Sequence, residues 1–430
     1  MINTKTHMVF SESKAEPQLL NGIELISPCF VELIFIYDHV LCEETLLDSL
    51  KKTLHNAPYI TGRVKDIYSP EPLWTANDEG LPFIVDKHEN DISCFTASEG
   101  PHLERIRDYR VDKLSCATDE NTPVLHIRLS LYNNSSILTL YINHLVFDFL
   151  SILSFFDSWT KVARGEAPEK LVFDRQLIRQ RSIGECDSTH PIIPAITEDE
   201  IEASEVPKIS NIRKTFRVKA DTLAQWINDT NEKDMNYTGI KYCLLPAYLL
   251  ELSARHRIEK QGTIKYTQVN NYRSLLGISR SYIGNAAEPT FFEVDFEEFS
   301  SMSSEDIAKK IWSLRDTLAK NPEIIGQAIG FWSKIMREGK LQKCFRKVGT
   351  AEALDQLYYN DASKTPVYEL NFGTGNPVWF EPTWLDHTIP FRYFLVFPAP
   401  EKNGDLILYT LLPENEMNEL SKHFETVPGS

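Results

Sequence analysis

Between Pro123 and Pro168 the hydrophobic pattern changes period once, and the change falls on a histidine. Two strand-like runs, Pro123–Leu131 and Ser136–Ile142, flank Tyr132-Asn133-Asn134-Ser135, whose paired asparagines favour a tight turn. Past Asp148, apolar residues at Leu150, Leu153, Phe156 and Trp159 recur at three-residue steps until Arg164-Gly165-Glu166-Ala167-Pro168 stops the pattern. The spacing therefore predicts a hairpin that feeds a helix, with His144-Leu145-Val146-Phe147-Asp148 spanning the junction. Imidazole titrates near neutrality and can take a proton from a hydroxyl or amine, while a carboxylate four residues on can anchor the turn that aims the ring. With eleven histidines in the chain the spacing by itself is weak evidence, and its weight comes from what surrounds it.

At 430 residues the chain exceeds what one hydrophobic core usually supports, which predicts two domains. The run Phe30–Tyr37 reads as a strand, and leucines 46, 47, 50 and 54 place an apolar stripe on a helix over 43–54. Residues 186–211 are rich in Ser, Pro and acidic side chains and read as a linker between domains 1–185 and 212–430. The second half reads as strands at Phe216–Val218, Thr263–Val269, near Tyr368, Phe391–Phe397 and Leu406–Leu411. Helices are expected near Ala220–Asp229, Cys243–Arg255, Ser304–Lys320, Ile335–Val348 and Glu414–Phe424. The mixture is α/β or α+β with at least two sheets.

A formal charge of −16 argues against a phosphate-backbone partner, so nucleic-acid binding is set aside. The seven cysteines form no C-x-x-C pair, which suggests neither a metal site nor a disulfide framework and fits reduced thiols. The polar start, Met1–Lys14, has no signal-peptide core, and the longest apolar stretch is short and interrupted by Glu32. A cytoplasmic protein without membrane segments is the expectation. No G-x-S-x-G elbow occurs, which speaks against a serine hydrolase.

Three further segments stand out. Asn371-Phe372-Gly373-Thr374-Gly375-Asn376-Pro377 predicts an irregular loop, and it lacks the third glycine and following helix of a dinucleotide fingerprint. Asn271-Tyr272-Arg273, followed by Gly284-Asn285, offers an arginine at a strand end, the usual partner of a partly buried aspartate, and Asp148 is the carboxylate assigned to it. Lys334–Lys347 carries six positive charges against one negative and reads either as a solvated helix face or as a patch for phosphates or an acidic carrier protein.

Taken together, these residues resemble the BAHD acyltransferases, which are marked by an HxxxD motif in the first half and a DFGWG loop near the C-terminus, and are closest in character to the fungal trichothecene-acetyltransferase-like members. Pro58–Arg63 is similar to the family's N-terminal Gly-Arg turn, and Trp159 with Ala163-Arg164-Gly165 to the end of its motif helix. The resemblance implies an α/β fold of two similar chloramphenicol-acetyltransferase-like domains with an active-site channel between them. It also implies a monomer with no permanently bound cofactor and no metal, using acyl-CoA as co-substrate. His144 would be the general base as a small-molecule hydroxyl or amine attacks the thioester. Asp148, Arg273, Asn371, Gly373 and Gly375 would support the site structurally, and Phe149, Asn285 and Thr374 are assigned to substrate contact. Alternatives within the resemblance are an acyl carrier protein as donor, as in condensation enzymes, or a repurposed cyclase or binding scaffold. Three positions depart from the family: Asn371 replaces its aspartate, Thr374 a frequent tryptophan, and Phe149 the glycine that usually follows the motif. A glycine there would allow positive φ, so Phe149 predicts an altered turn or a narrowed channel.

Overall fold

The computed structural model describes residues 2–26, 29–91, 118–194, 211–229, 242–257, 260–341, 356–383 and 392–427. Two large sheets dominate. The first has six strands in the order Ile2–Val9, Leu81–His88, Leu125–Leu131, Ser136–Asn143, Phe30–Tyr37, Trp379–Pro382. The expected hairpin lies at its centre, closed by Tyr132 N–H donating to the Ser135 carbonyl at 3.0 Å and registered Leu131 against Ser136. Helices Glu43–His55 and Phe149–Ala163 pack together beside it. The Trp159 indole donates to the Leu46 carbonyl (3.1 Å) and the Ser49 hydroxyl (3.0 Å), so the large ring is buried without an orphaned N–H.

The second sheet orders seven strands as Ala287–Asp295, Thr263–Asn271, Gln356–Asp361, Arg392–Pro398, Leu406–Leu412, Ile212–Val218, Glu425–Thr426. Helices Leu244–Arg255, Ser304–Lys320 and Glu414–His423 bury Leu249, Ile307, Ile311 and Met417 in the core beneath it. The helix Ser304–Lys320 starts where its sequence says it should: Ser303 accepts from the Asp306 N–H, and the Asp306 carboxylate accepts from Ser303 N–H in return.

Of the segment expected to link the two halves, residues 195–210 lie outside the described positions, and the halves also meet elsewhere. Strand Trp379–Pro382 leaves the second half and pairs antiparallel with Phe30–Tyr37, Trp379 opposite Ile36. Arg213 of the second sheet forms an ion pair with Glu381 on that strand, and Tyr409 donates to the Phe380 carbonyl at 2.5 Å. The first hydrophobic core accordingly continues from Leu33 and Phe35 through Phe380 and Phe397 without a break.

Two expected elements differ. Tyr368 lies in a turn, where Thr365 and Glu369 N–H groups donate to the Ala362 and Pro366 carbonyls and no ladder forms. The helix expected at 335–348 is the end of a longer one, Glu323–Arg337, stopped by Gly339 at φ +69°. Residues 342–348 lie outside the described positions. Lys334 and Arg337 pair with Asp187 and Glu185, and Lys340 with Glu338, so the described cations of the basic segment already have carboxylate partners.

The glycine loop is held at the far end of the helix Phe149–Ala163. Its Phe372 ring packs edge-on against Trp159 at 4.8 Å, and Arg164 donates to the Asn371 carbonyl. Gly373 and Gly375 sit at φ +107° and +149°, and a Cβ on Gly375 would lie 2.7 Å from the His39 ring. Gly375→Ala is expected to lower stability by about 1–3 kcal/mol, measured by denaturant unfolding, because strain and overlap act at one position.

Candidate active site

The turn from Asn143 to Asp148 is held on every side but one. Asn143 Oδ1 accepts from Leu145 N–H at 3.0 Å, and Val146 N–H donates to the Asn143 carbonyl at 3.3 Å, which closes the turn locally. Leu145, Val146 and Phe147 are wholly buried, Phe147 with its ring edge-on to Trp74 at 5.8 Å. His144 N–H donates to the Cys29 carbonyl at 2.8 Å, extending the pairing of Phe30 with Asn143 by one step. Among residues 144–148, His144 is the one that is not fully buried. An apolar triplet thus nails down the backbone, while His144 is only partly buried and its Nδ1 is shielded from solvent.

Asp148 does two jobs at once. Its Oδ1 accepts from Ser151 N–H at 2.8 Å as the N-cap of the helix Phe149–Ala163. Both its oxygens also accept from Arg273, Nη1 to Oδ2 at 2.7 Å and Nη2 to Oδ1 at 2.9 Å, and Ala286 N–H donates to Oδ2 at 2.9 Å. Burial alone would raise the Asp148 carboxyl; the charge and hydrogen bonds of Arg273, with the Ala286 and Ser151 amides, outweigh it and hold the group below the usual carboxylate range. Arg273 Nη2 continues to the carbonyls of Tyr282 and Gly284, each at 3.0 Å. The expected pair is present, bidentate and buried.

Asn285 lies under the histidine. Its Nδ2 donates to the His144 carbonyl at 2.5 Å, the Leu145 carbonyl at 3.2 Å and the Glu24 carbonyl at 3.3 Å. With that amide committed to backbone, Asn285 supports the histidine turn. Phe149 is the first residue of the helix and has no positive φ, so the substitution for glycine leaves the backbone relaxed. Its half-buried ring packs at 5.2 Å from Phe397 and 5.9 Å from Phe380, where the halves meet. Thr374 is exposed on the glycine loop, and a helix of 15 residues, about 22 Å long, separates that loop from His144. The structure therefore brings His144, Asp148, Phe149, Arg273 and Asn285 together and leaves Asn371, Gly373, Thr374 and Gly375 elsewhere. In that loop Asn371 Oδ1 accepts from Gly373 N–H (2.6 Å) and Gly375 N–H (3.1 Å), so an amide oxygen serves where the family's aspartate would.

Two features beside the site were not read from the sequence. Cys29, whose carbonyl holds His144, is solvent-exposed, yet burial pushes its thiol up to about 11. Next to Arg273, a cavity of about 350 Å³ opens on Asn270, Asn271, Ser274, Arg315, Asp361 and Lys364. Lys364 Nζ sits 4.2 Å above the Tyr242 ring. These six residues come from three stretches far apart in sequence, 270–274, 315 and 361–364, and no local pattern joins the three. Among the described residues no group of His, Cys, Asp and Glu is arranged to hold a metal ion, and no helix is long and apolar enough to cross a membrane.

Asp148→Asn is expected to cost about 3–5 kcal/mol near neutral pH, because a buried guanidinium loses its counter-charge. Since the folded carboxyl titrates below its unfolded value, the pair's contribution is complete above about pH 4 and disappears as pH falls through the folded value. Denaturant unfolding against pH should show the wild-type and Asp148→Asn curves converging on the acid side; parallel curves would refute the ionic account.

The chain is similar to several known proteins. The chain is 21% identical to BAHD acyltransferase BIA1 of Arabidopsis thaliana, over 95% of this chain and 92% of that one. The structure of vinorine synthase is similar with a TM-score of 0.68 at 18% identity, covering 97% of this chain and 96% of that one. F. graminearum TRI101, solved with coenzyme A and T-2 mycotoxin, is similar with a TM-score of 0.73 at 15% identity, covering 96% and 100%. The two-domain, chloramphenicol-acetyltransferase-like α/β architecture is shared with these structures. The model of the Transferase family matches residues 13–427, and with the histidine turn, its arginine-held aspartate and the docked glycine loop all in place, the chain belongs to that family, the BAHD acyltransferases.

Proposed function

We propose that this acyltransferase moves an acyl group from coenzyme A to a hydroxyl or amine of a small specialised metabolite, with His144 as the general base. The observation that supports this reading is the histidine turn: backbone fixed by Cys29, Asn143 and Asn285, Leu145, Val146 and Phe147 wholly buried, and His144 itself only partly buried. Such a ring can meet a nucleophile without reorganising its support, which is the geometric demand on a base. The acceptor O–H or N–H gives its proton to His144 as oxygen or nitrogen bonds to the thioester carbonyl carbon. Collapse of the tetrahedral adduct breaks the C–S bond, and the thiolate leaves with that proton returned. No acyl-enzyme is needed.

Coenzyme A as donor is supported by the cavity beside Arg273, where the Arg315 and Lys364 cations suit phosphate groups. Burial opposes the Arg315 charge, but the electrostatic influence of Cys243, Tyr266 and Asp361 outweighs it and raises this group above its ordinary value. TRI101 has been solved with coenzyme A and a mycotoxin acceptor, which supports a small-molecule acceptor here. A docking patch for a carrier protein draws less support, since Lys334 and Arg337 are already paired.

Incubation with acetyl-CoA and a panel of hydroxylated and amine metabolites, followed by thiol release and product mass, tests the reading. His144→Ala should reduce transfer by about 10²-fold or more while binding coenzyme A as the wild type does by calorimetry. A variant that keeps more than about a tenth of the rate would remove His144 from the role of base. Lys364→Glu should weaken coenzyme A binding and flatten its dependence on salt, and unchanged affinity would take the phosphates out of that cavity.

A further inference from the structure

A second buried ion pair lies on the opposite side of the loop that supports His144. Glu24 and Arg175 are both wholly buried, with Arg175 Nε 3.3 Å from Glu24 Oε1. Glu24 ends a short turn begun by Asn21, whose backbone N–H and side-chain amide both donate to Glu24 Oε2, at 3.0 and 3.1 Å. The Arg175 guanidinium stacks 4.7 Å from the Trp74 ring and 5.4 Å from the Tyr282 ring. The other face of that loop belongs to Arg273, whose guanidinium lies 5.7 Å from the same Tyr282 ring.

The hydrogen bonds of the two arginines interleave. Arg273 takes the carbonyls of Tyr282 and Gly284, and Arg175 takes the carbonyl between them, that of Ile283. Three consecutive carbonyls are thus gripped alternately by two arginines, each set against its own acidic partner. The next residue is Asn285, whose amide spans the carbonyls of Glu24 and His144. Gly284 makes this turn possible, since a Cβ there would come within 2.7 Å of the Tyr282 ring. A pair of fully buried charges is costly to desolvate and is a poor source of stability, so a positional role accounts better for it.

We propose that Glu24–Arg175 is a second positioning pair for His144, acting through the 282–285 turn and the Asn285 amide. Neither residue touches substrate; both set where the imidazole stands. The proposal rests on reading His144 as the base. It joins the Asn21–Glu24 turn, Arg175 near the end of the first half and the Tyr282–Asn285 segment into one support for the reacting group.

Arg175→Lys keeps a cation over the two rings but loses the guanidinium fork that reaches Glu24 and Ile283 together. Glu24→Gln keeps the shape and removes the counter-charge. Full-length protein labelled with ¹³C-histidine reports on the ring directly, the His144 signal being identified by its loss in His144→Gln. In either variant the titration midpoint of His144 should move by about half a pH unit or more, while that of the surface His423 stays in place. Gly375→Ala, destabilised far from the turn, should leave the His144 signal unmoved. Acyl transfer in Arg175→Lys should fall about tenfold or more through kcat, with the KM for acetyl-CoA unchanged. The proposal is overturned if both variants lose thermal stability yet leave the His144 midpoint unmoved, or if Gly375→Ala shifts it equally. Should one variant fail to fold, the other decides. Retained transfer in His144→Ala would instead overturn the base assignment, an outcome separate from the coupling seen in the spectra.

Discussion

The bidentate contact between Asp148 and Arg273 is the constraint on which the site depends. It joins a helix start in the first half to a strand end in the second, and it satisfies five separate demands with one carboxylate: the helix cap, two guanidinium donors, the Ala286 amide and the charge itself. Charge-assisted, forked geometry restricts both partners to one relative orientation, which a single hydrogen bond would not do. The histidine four residues earlier inherits that orientation through a turn whose other residues are buried. The pair is therefore better understood as a register mark between halves than as a source of net stability.

Around that mark the polar interior is organised so that side chains bind backbone. Arg273, Arg175 and Asn285 all direct donors at carbonyls, and Arg63 does the same with the carbonyls of Gly62 and Gly80. Irregular segments buried between sheets have no ladder to satisfy them, so each carbonyl needs a donor from elsewhere. This explains why glycine and asparagine recur there: they let the chain approach closely and supply compact donors and acceptors.

Much of this was legible in the residues. The hairpin, the helix after Asp148 and the strand at Phe30–Tyr37 follow from alternation, turn chemistry and apolar spacing, all local signals. The pairing of Asp148 with Arg273, 125 positions away, was read from an arginine at a strand end and supported by the family resemblance, and the geometry agrees. Strand Trp379–Pro382 was missed because four residues carry little periodicity and its partner, Phe30–Tyr37, lies more than 300 positions earlier. Tyr368 looked like a strand residue because its neighbours are apolar, whereas the backbone there closes turns around Pro366. Asn285 looked available for substrate because its side-chain partners are carbonyls, which leave no trace in a sequence. The Asn21-x-x-Glu24 spacing is a capping-box pattern and could have been noticed; nothing local pointed to Arg175.

Strand Trp379–Pro382 has a consequence for how the chain is made. Until that strand arrives, the first sheet ends on Phe30–Tyr37, an eight-residue edge with a single charged side chain. A flat apolar edge of this kind is a template for pairing with other chains. During synthesis the first half emerges long before residue 379, so it waits with its sheet unfinished, and the nascent protein is most exposed to misassociation in that interval. Cutting the chain between Ile193 and Ile212 would make the interval permanent. The two halves are thus unequal in self-sufficiency, the first having its sheet completed by a short ribbon lent by the second.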